Sequence, residues 1–497
     1  MNVPTIPAVH GATLGLFAEQ TAVGTVQYQG SCTYDAARQS YTITGAGANI
    51  WGAQDAFHYV WRRLRGNFIV TMQTAFTGPN LHPHRKVGWM VRSTLDAGSP
   101  NVSTGIHGDG LTSLQFRRKV GGPTAEVRAP ITHADVIQLE RKGNTYIMSV
   151  ARFGNPFTVV QVEDLALGEE LYVGLSVCSH DDKVVEGAFF HNVRIVEPVK
   201  EGFVRGRDPF GSNLELLDIA SGVRQIIYQA ASVFEAPNWT LDGQALIYNS
   251  GGLLYRFDLT DRQPVVINTG SVTENNNDHV IAFDGTMLAI SSRAADVKSS
   301  VVYTVPITGG EPKRITAQGP SYLHGWSPDG NYLVYTALRN GDYDIYRIAA
   351  AGSDGDHETQ LTTAPGLDDG PEYSPDGQYI YFNSVRSGLM QIWRMKADGS
   401  NQEQITNDEY NNWFPHISPD GRWIVFLSYL VNEVTPSDHP AAKRVYLRLL
   451  PVADLTAQPK VIAYLYGGQG TMNVPSWSPD SKRIAFVSNS VSVIRGA

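Results

Sequence analysis

The chain has 497 residues, too many for one ordinary hydrophobic core, so two or three domains are expected. Its 48 glycines, 27 prolines and 23 tyrosines, set against only 18% charged residues, describe a turn-rich β protein and exclude a helical bundle. The net charge of −9 is spread without an acidic or basic block, which argues against nucleic acid as the main partner and against a polybasic membrane patch.

The first residues, MNVPTIPAVHGATLGLF, lack the cationic start and continuous apolar core of a secretory signal, and no later run approaches the ~20 apolar residues of a membrane span. The cytoplasm is therefore the default location, with periplasm or secretion the reading if a signal has been removed. Residues 12 to 196 carry short alternating strands: QSYTITG, NFIVTMQTAF, VGWMVRS, SLQFRRKV, VIQLERKG, YIMSVARF, LYVGLSV and GAFFHNVRIV. Strands of this length between Gly, Asn and Asp turns predict an antiparallel β-sandwich. The run from Tyr41 to Gln73, followed by KVGWMVR and closing on FFHNVRI, resembles the concanavalin-like jelly rolls that accompany carbohydrate enzymes. That resemblance makes Trp51, Trp89, His107 and Asp109 candidate sugar contacts, although core packing is the simpler reading of both tryptophans. The cysteines, Cys32 and Cys178, either pair or stand as two separate buried thiols, the second being the simpler reading. The sandwich is placed at 1–196 and a charged, proline-containing linker at 197–211.

From 212 to 497 one pattern recurs six times: NWTLDGQALIYNS, IAFDGTMLAISS, GWSPDGNYLVYTA, EYSPDGQYIYFNS, HISPDGRWIVFLS and SWSPDSKRIAFVS. Its aspartates, Asp242, Asp284, Asp329, Asp376, Asp420 and Asp480, are separated by 42, 45, 47, 44 and 60 residues, the length of a four-stranded propeller blade. Proline and aspartate preset a tight turn, glycine supplies the positive φ that ends it, and a β-branched or aromatic strand follows. The last copy stops after two strands, while SNLELLDIASGVRQIIYQ at 212 to 229 reads as an orphan third and fourth strand. Joining the two predicts a sixth blade built from both ends of the domain, which removes free sheet edges. The fold class expected is all-β: a jelly-roll sandwich followed by a six-bladed propeller.

These Ser-Pro-Asp-Gly repeats resemble the TolB-like propellers. Counting back seven residues from each turn aspartate gives Glu235, Asn277, Tyr322, Asp369, Trp413 and Asn473. Counting back six gives the mainly apolar Ala236, Asp278, Leu323, Gly370, Phe414 and Val474, and counting back five includes His279 and His324. With the two-residue alternation of a strand, the first ring is expected to face the central channel, His279 and His324 one step deeper. Two imidazoles with Asp369 suit a divalent cation such as Mn, Zn, Fe, Ni or Ca, and His416 would join only through a bulge. The resemblance extends to oligogalacturonate lyases, which are similar propellers holding a divalent metal near the axis, though with more histidine there and seven blades.

Under that reading Asp369, Glu235, Tyr322 and His416 are the candidate catalytic groups. Asn277, Trp413 and Asn473, with Arg293, Arg339 and Arg386 on the loops after the second strands, would bind substrate. The function expected is glycan cleavage, by a lyase or a hydrolase, at the channel mouth. The alternative is a non-catalytic scaffold like TolB, offering the same surface to a protein or glycan partner. No serine-hydrolase elbow, phosphate loop or dinucleotide fingerprint occurs.

Overall fold

The structure, a computed structural model, describes residues 14–78, 82–352 and 357–492; most of the N-terminal segment read for a signal lies outside them. The chain divides into one compact unit ending at Pro198 and a second beginning at Val199. No helix among the described residues is long and apolar enough to cross a membrane.

In the first unit, strands such as Thr145–Ala151 place apolar residues at every second position, while Lys86–Arg92 and Asn101–His107 are buried on both faces. All eight strands expected from the alternation form, and they belong to two antiparallel sheets. One runs, in spatial order, Glu19–Val23, Gln54–Arg65, Glu170–Cys178, Lys86–Arg92, Asn101–His107, Thr112–Arg117 and Ala125–Arg128. The other runs Thr158–Val162, Thr145–Ala151, Val136–Lys142, Phe68–Phe76, Asp181–Val196, Ser40–Gly47 and Ser31–Asp35. Val60, Trp89 and Leu114 of the first sheet join Ile43, Met72 and Phe190 of the second in one hydrophobic cluster. Both cysteines are free thiols, and burial pushes Cys32 up to about 12 and Cys178 to about 11.

The second unit is a six-bladed propeller. Five blades are four-stranded antiparallel sheets whose inner strands are Glu235–Trp239, Asn275–Ile281, Ser321–Trp326, Asp368–Tyr373 and Tyr410–Ile417. The sixth is closed by both ends of the unit: Gly211–Asp218 pairs residue for residue with Arg483–Ser490, and Arg224–Ala230 lies outside it. An isolated Trp477–Ile484 bridge stands where the other blades have a regular inner strand.

The repeated turn explains its own sequence. In the Ser-Pro-Asp-Gly copies the serine hydroxyl donates to the aspartate, as Ser327 does to Asp329 (2.5 Å) and Ser374 to Asp376 (2.6 Å). The same carboxylate accepts the backbone N–H two residues on, and the hydroxyl accepts the N–H that starts the next strand, Tyr332 or Tyr379. Those hydrogen bonds hold the turn aspartates below the ordinary carboxylate range, led by the serine hydroxyl at Asp329 and Asp376. Neighbouring blades are then tied by indoles at one repeat position: Trp326 Nε1 donates to Val280 O (3.1 Å) and Trp477 Nε1 to His416 O (3.0 Å). Ser374→Ala removes both roles of the hydroxyl and is expected to lower stability by about 1 kcal/mol, read as a shift of the urea midpoint.

Candidate functional site

The inner strands do not keep a simple two-residue alternation where they enter the channel. In all five regular blades the pairing slips: between Glu235 and Asn238, Asn275 and His279, Leu323 and Gly325, Asp369 and Glu372, and Trp413 and His416. Ala236, Gly370 and Phe414, at equivalent positions, take positive φ values of 54°, 61° and 54°. A bulge inserts an extra residue and re-aims the side chains around it, so residues from adjacent registers reach the same space.

Those side chains form a buried acid and imidazole cluster. His324 Nε2 lies 3.3 Å from Asp369 Oδ1 across neighbouring blades, with the His324 ring stacked over Phe414. Burial raises the Asp369 carboxyl, but the hydrogen bond and charge of His324 outweigh it and hold Asp369 at about 2. Burial in turn lowers His324, and its bond to Asp369 with the charges of Asp278 and Asp369 leaves the ring raised. Asp278, fixed by Asn276 Nδ2 at 2.7 Å, is pushed up to about 6 by burial against the pull of His324. Glu235 is pushed up to about 7 by burial, against its ion pair with Arg205 and with the charge of Asp278 adding to the rise. Glycine at 470, with φ +88, lets the backbone pass Glu235, because a Cβ there would stand 2.1 Å from Oε1. Tyr322 is half-buried beside Tyr343, and burial raises its hydroxyl to about 12. Asn473 accepts Gly470 N–H and donates to Gln469, and Asn277 is buried with no hydrogen bond to its amide nitrogen.

The other expected site residues have partners of their own. His279 is wholly buried, its Nε2 engages Ile247 O at 3.1 Å, and burial holds it at about 4. Among the described residues it does not gather with His324 and Asp369 into a three-ligand group. His416 engages both ring nitrogens between blades, on Glu372 (2.6 Å) and Met472 O (3.0 Å). Trp413 is fully buried against His439 and Phe414, which leaves no ring face for a sugar. The arginines are engaged within their own blades: Arg339 with Glu358 (2.6 Å), Arg386 with Asp368 (2.5 Å), and Arg293, 60% exposed, beside Glu274 (3.8 Å). In the first unit Trp89 is core, whereas Trp51 is 40% exposed.

Three contributors are not among the expected site residues. Asp278 occupies the register expected to be apolar, and it is the only charged residue there. Arg205 comes from the segment read as a linker. His439 comes from the extra chain that stretches the last repeat spacing to 60, and its charge also bears on Asp369.

The TolB β-propeller domain family matches residues 323–439. An uncharacterized protein of Agrobacterium fabrum is 45% identical over 277 residues, 56% of this chain and 92% of its own length. The chain belongs to the TolB-like propeller family. A candidate TolB of Agrobacterium tumefaciens, of known structure, is 44% identical over 56% of this chain and 98% of its own, with a TM-score of 0.53. An oligogalacturonate lyase in complex with manganese is 13% identical, over 51% of this chain and 67% of its own, with a TM-score of 0.34, a likeness that carries no argument about activity.

Proposed function

We propose that this TolB-like propeller is a non-catalytic binding protein whose channel mouth receives a cationic segment of a protein partner. The observation that carries this reading is the set of three buried carboxyls, Glu235, Asp278 and Asp369, drawn from the first, second and fourth blades, with His324 of the third acting on Asp278 and Asp369 and Asp278 acting on Glu235. Two of them are raised by burial, so a lysine or arginine side chain entering the mouth would stabilise both anions at once. Of the groups expected to bind sugar or metal, His279, Arg339 and Arg386 are engaged by partners within the propeller. The N-terminal unit, with two antiparallel sheets around one core, is proposed to be a concanavalin-like jelly roll.

A second reading, a glycan lyase or hydrolase at the same mouth, draws on one observation. Glu235 at about 7 and Asp369 at about 2 are split as a general acid and a charged partner would be. One pair of assays separates the two. Panning a random peptide library on the immobilised protein is expected to enrich Lys- and Arg-containing peptides, with binding weakened about tenfold or more by Asp278→Asn plus Asp369→Asn. Acidic and neutral oligosaccharides are expected to stay intact. Release of reducing ends or of an unsaturated product, with no basic peptide enriched, contradicts the binding reading.

The apo propeller carries its own pH signature. Glu235 and Asp278 are raised on folding, so the stability they contribute is present below their unfolded values and is lost as pH rises through about 6 and 7. Glu235→Gln plus Asp278→Asn is expected to flatten the fall in thermal midpoint between pH 5 and pH 8, followed by circular dichroism.

A further inference from the structure

A second cluster of titratable side chains lies in the N-terminal unit and takes no part in the propeller site. Its frame is backbone. The turn after strand Asn101–His107 folds back through Gly110 N–H to His107 O (3.0 Å), and Asp109 Oδ1 caps Leu111 N–H at 3.0 Å. That turn is fastened to the segment before strand Lys86–Arg92 by Asp109 N–H to Pro83 O (2.8 Å) and Gly108 N–H to Arg85 O (3.0 Å). Glycine at 108 permits the fit, since a Cβ would stand 2.7 Å from the Arg85 guanidinium nitrogen. Arg85 itself is fixed by its buried ion pair with Glu186 at 2.8 Å.

The result brings His84, His107 and Asp109 together, with one ligand atom of each within 4.8 Å of the others. His84 Nδ1 stands 3.7 Å from Asp109 Oδ2, and the His84 ring centroid is 5.8 Å from that of His107. The rings of His180 and His82 lie 4.2 Å apart, tilted by 36°, with His180 at 5.6 Å from His84. The second, independent sign of a ligand is at His107. It is more than nine-tenths buried, and its Nδ1 has no hydrogen-bond partner. Its Nε2 lies 3.2 Å from the Gln115 amide, whose oxygen is also unpartnered as placed. Turning that amide puts the oxygen where it accepts the Nε2 proton, which leaves the Nδ1 lone pair free, the arrangement that orients a metal-bound imidazole.

We propose that His84, His107 and Asp109 bind a first-row divalent cation of the Zn2+ or Ni2+ class. Two imidazoles and one carboxylate are a borderline donor set, and His84 and Asp109 lie at the surface, so further positions stay open to water, to His82 or His180, or to an external ligand.

Untagged protein stripped with chelator and titrated with Zn2+ is expected to take up one equivalent per chain. His84→Ala, at a half-exposed side chain whose loss leaves the fold intact, and Asp109→Asn are each expected to weaken uptake about tenfold or more. Gln115→Leu, which removes only the support of His107, should weaken it by about 10- to 100-fold. Co2+ in place of Zn2+ should give visible ligand-field bands that disappear in His84→Ala. The double change His279→Ala plus His324→Ala should leave uptake unchanged. Substoichiometric uptake by the wild-type chain, or equal affinity in His84→Ala and Asp109→Asn, overturns the assignment.

Discussion

Glu215→Ala is expected to destabilise the propeller by about 3–5 kcal/mol, although the residue is far in sequence from the strand it helps to hold. Glu215 lies on Gly211–Asp218, the strand that closes the ring by pairing with Arg483–Ser490. Its wholly buried carboxylate accepts from Arg224 Nη2 (2.9 Å) and Nε (3.2 Å) and from Ser488 Oγ (2.5 Å). Arg224 continues the link to Tyr464 O at 2.9 Å, so one ion pair joins both ends of the unit to the fifth blade. Truncation leaves a guanidinium buried without its counter-charge, which costs far more than the intact pair gains. Replacing both partners by leucine should recover most of the loss, and urea unfolding of the propeller transition reads all three proteins. A cost below about 1 kcal/mol for Glu215→Ala would mean that closure does not depend on this pair.

The N-terminal unit should be more sensitive still. Asp55, on Gln54–Arg65, receives Arg92 Nη1 at 2.9 Å, Arg117 Nη1 and Nη2 at 2.8 and 2.6 Å, and Asn101 Nδ2 at 3.2 Å. Both arginines and the aspartate have fully buried side chains. Asp55→Ala therefore strands two guanidinium groups, and the expected cost lies at or above the upper end of about 3–5 kcal/mol. Against a typical total of about 5–15 kcal/mol, that is enough to unfold the unit at moderate temperature. Limited proteolysis should then degrade the residues before Pro198 and spare those after Val199. Equal resistance in variant and wild type would refute the estimate.

The blades were legible because their signal is local chemistry. Ser374, Asp376 and Gly377 satisfy one another within a few residues, so six copies in the sequence become six turns. The closing blade was legible for the same reason, since each end of the unit carries an incomplete blade. The site was legible only in part. Register singles out Glu235, Tyr322 and Asp369 as candidates, but the bulges at Ala236, Gly370 and Phe414 break the alternation on which register depends. Asp278 was thereby assigned to the wrong phase, and His279 was paired with His324 although it turns to Ile247 O. Arg205 and His439 lie outside the repeat altogether, and only the unusual spacing of 60 marked the insert that carries His439. The strand Gln54–Arg65 was missed because FHYVWRRLR does not alternate, with five consecutive buried positions from Phe57 to Trp61. The histidine cluster of the first unit is written as His-Pro-His at 82–84 and Gly-Ile-His-Gly-Asp-Gly at 105–110, but only the fold shows that the two segments meet.

The most direct test of the account is calorimetric titration of the protein with a short lysine-rich peptide between pH 5 and pH 8. A cation that binds against Glu235 and Asp278 must displace their protons, so affinity should rise through about 6 and 7 and level off above. Below that window it should fall by about tenfold per pH unit for each group, and the pH dependence should vanish in Glu235→Gln plus Asp278→Asn. An affinity independent of pH, or one untouched by that double change, would contradict the assignment of the mouth as a cation-binding site.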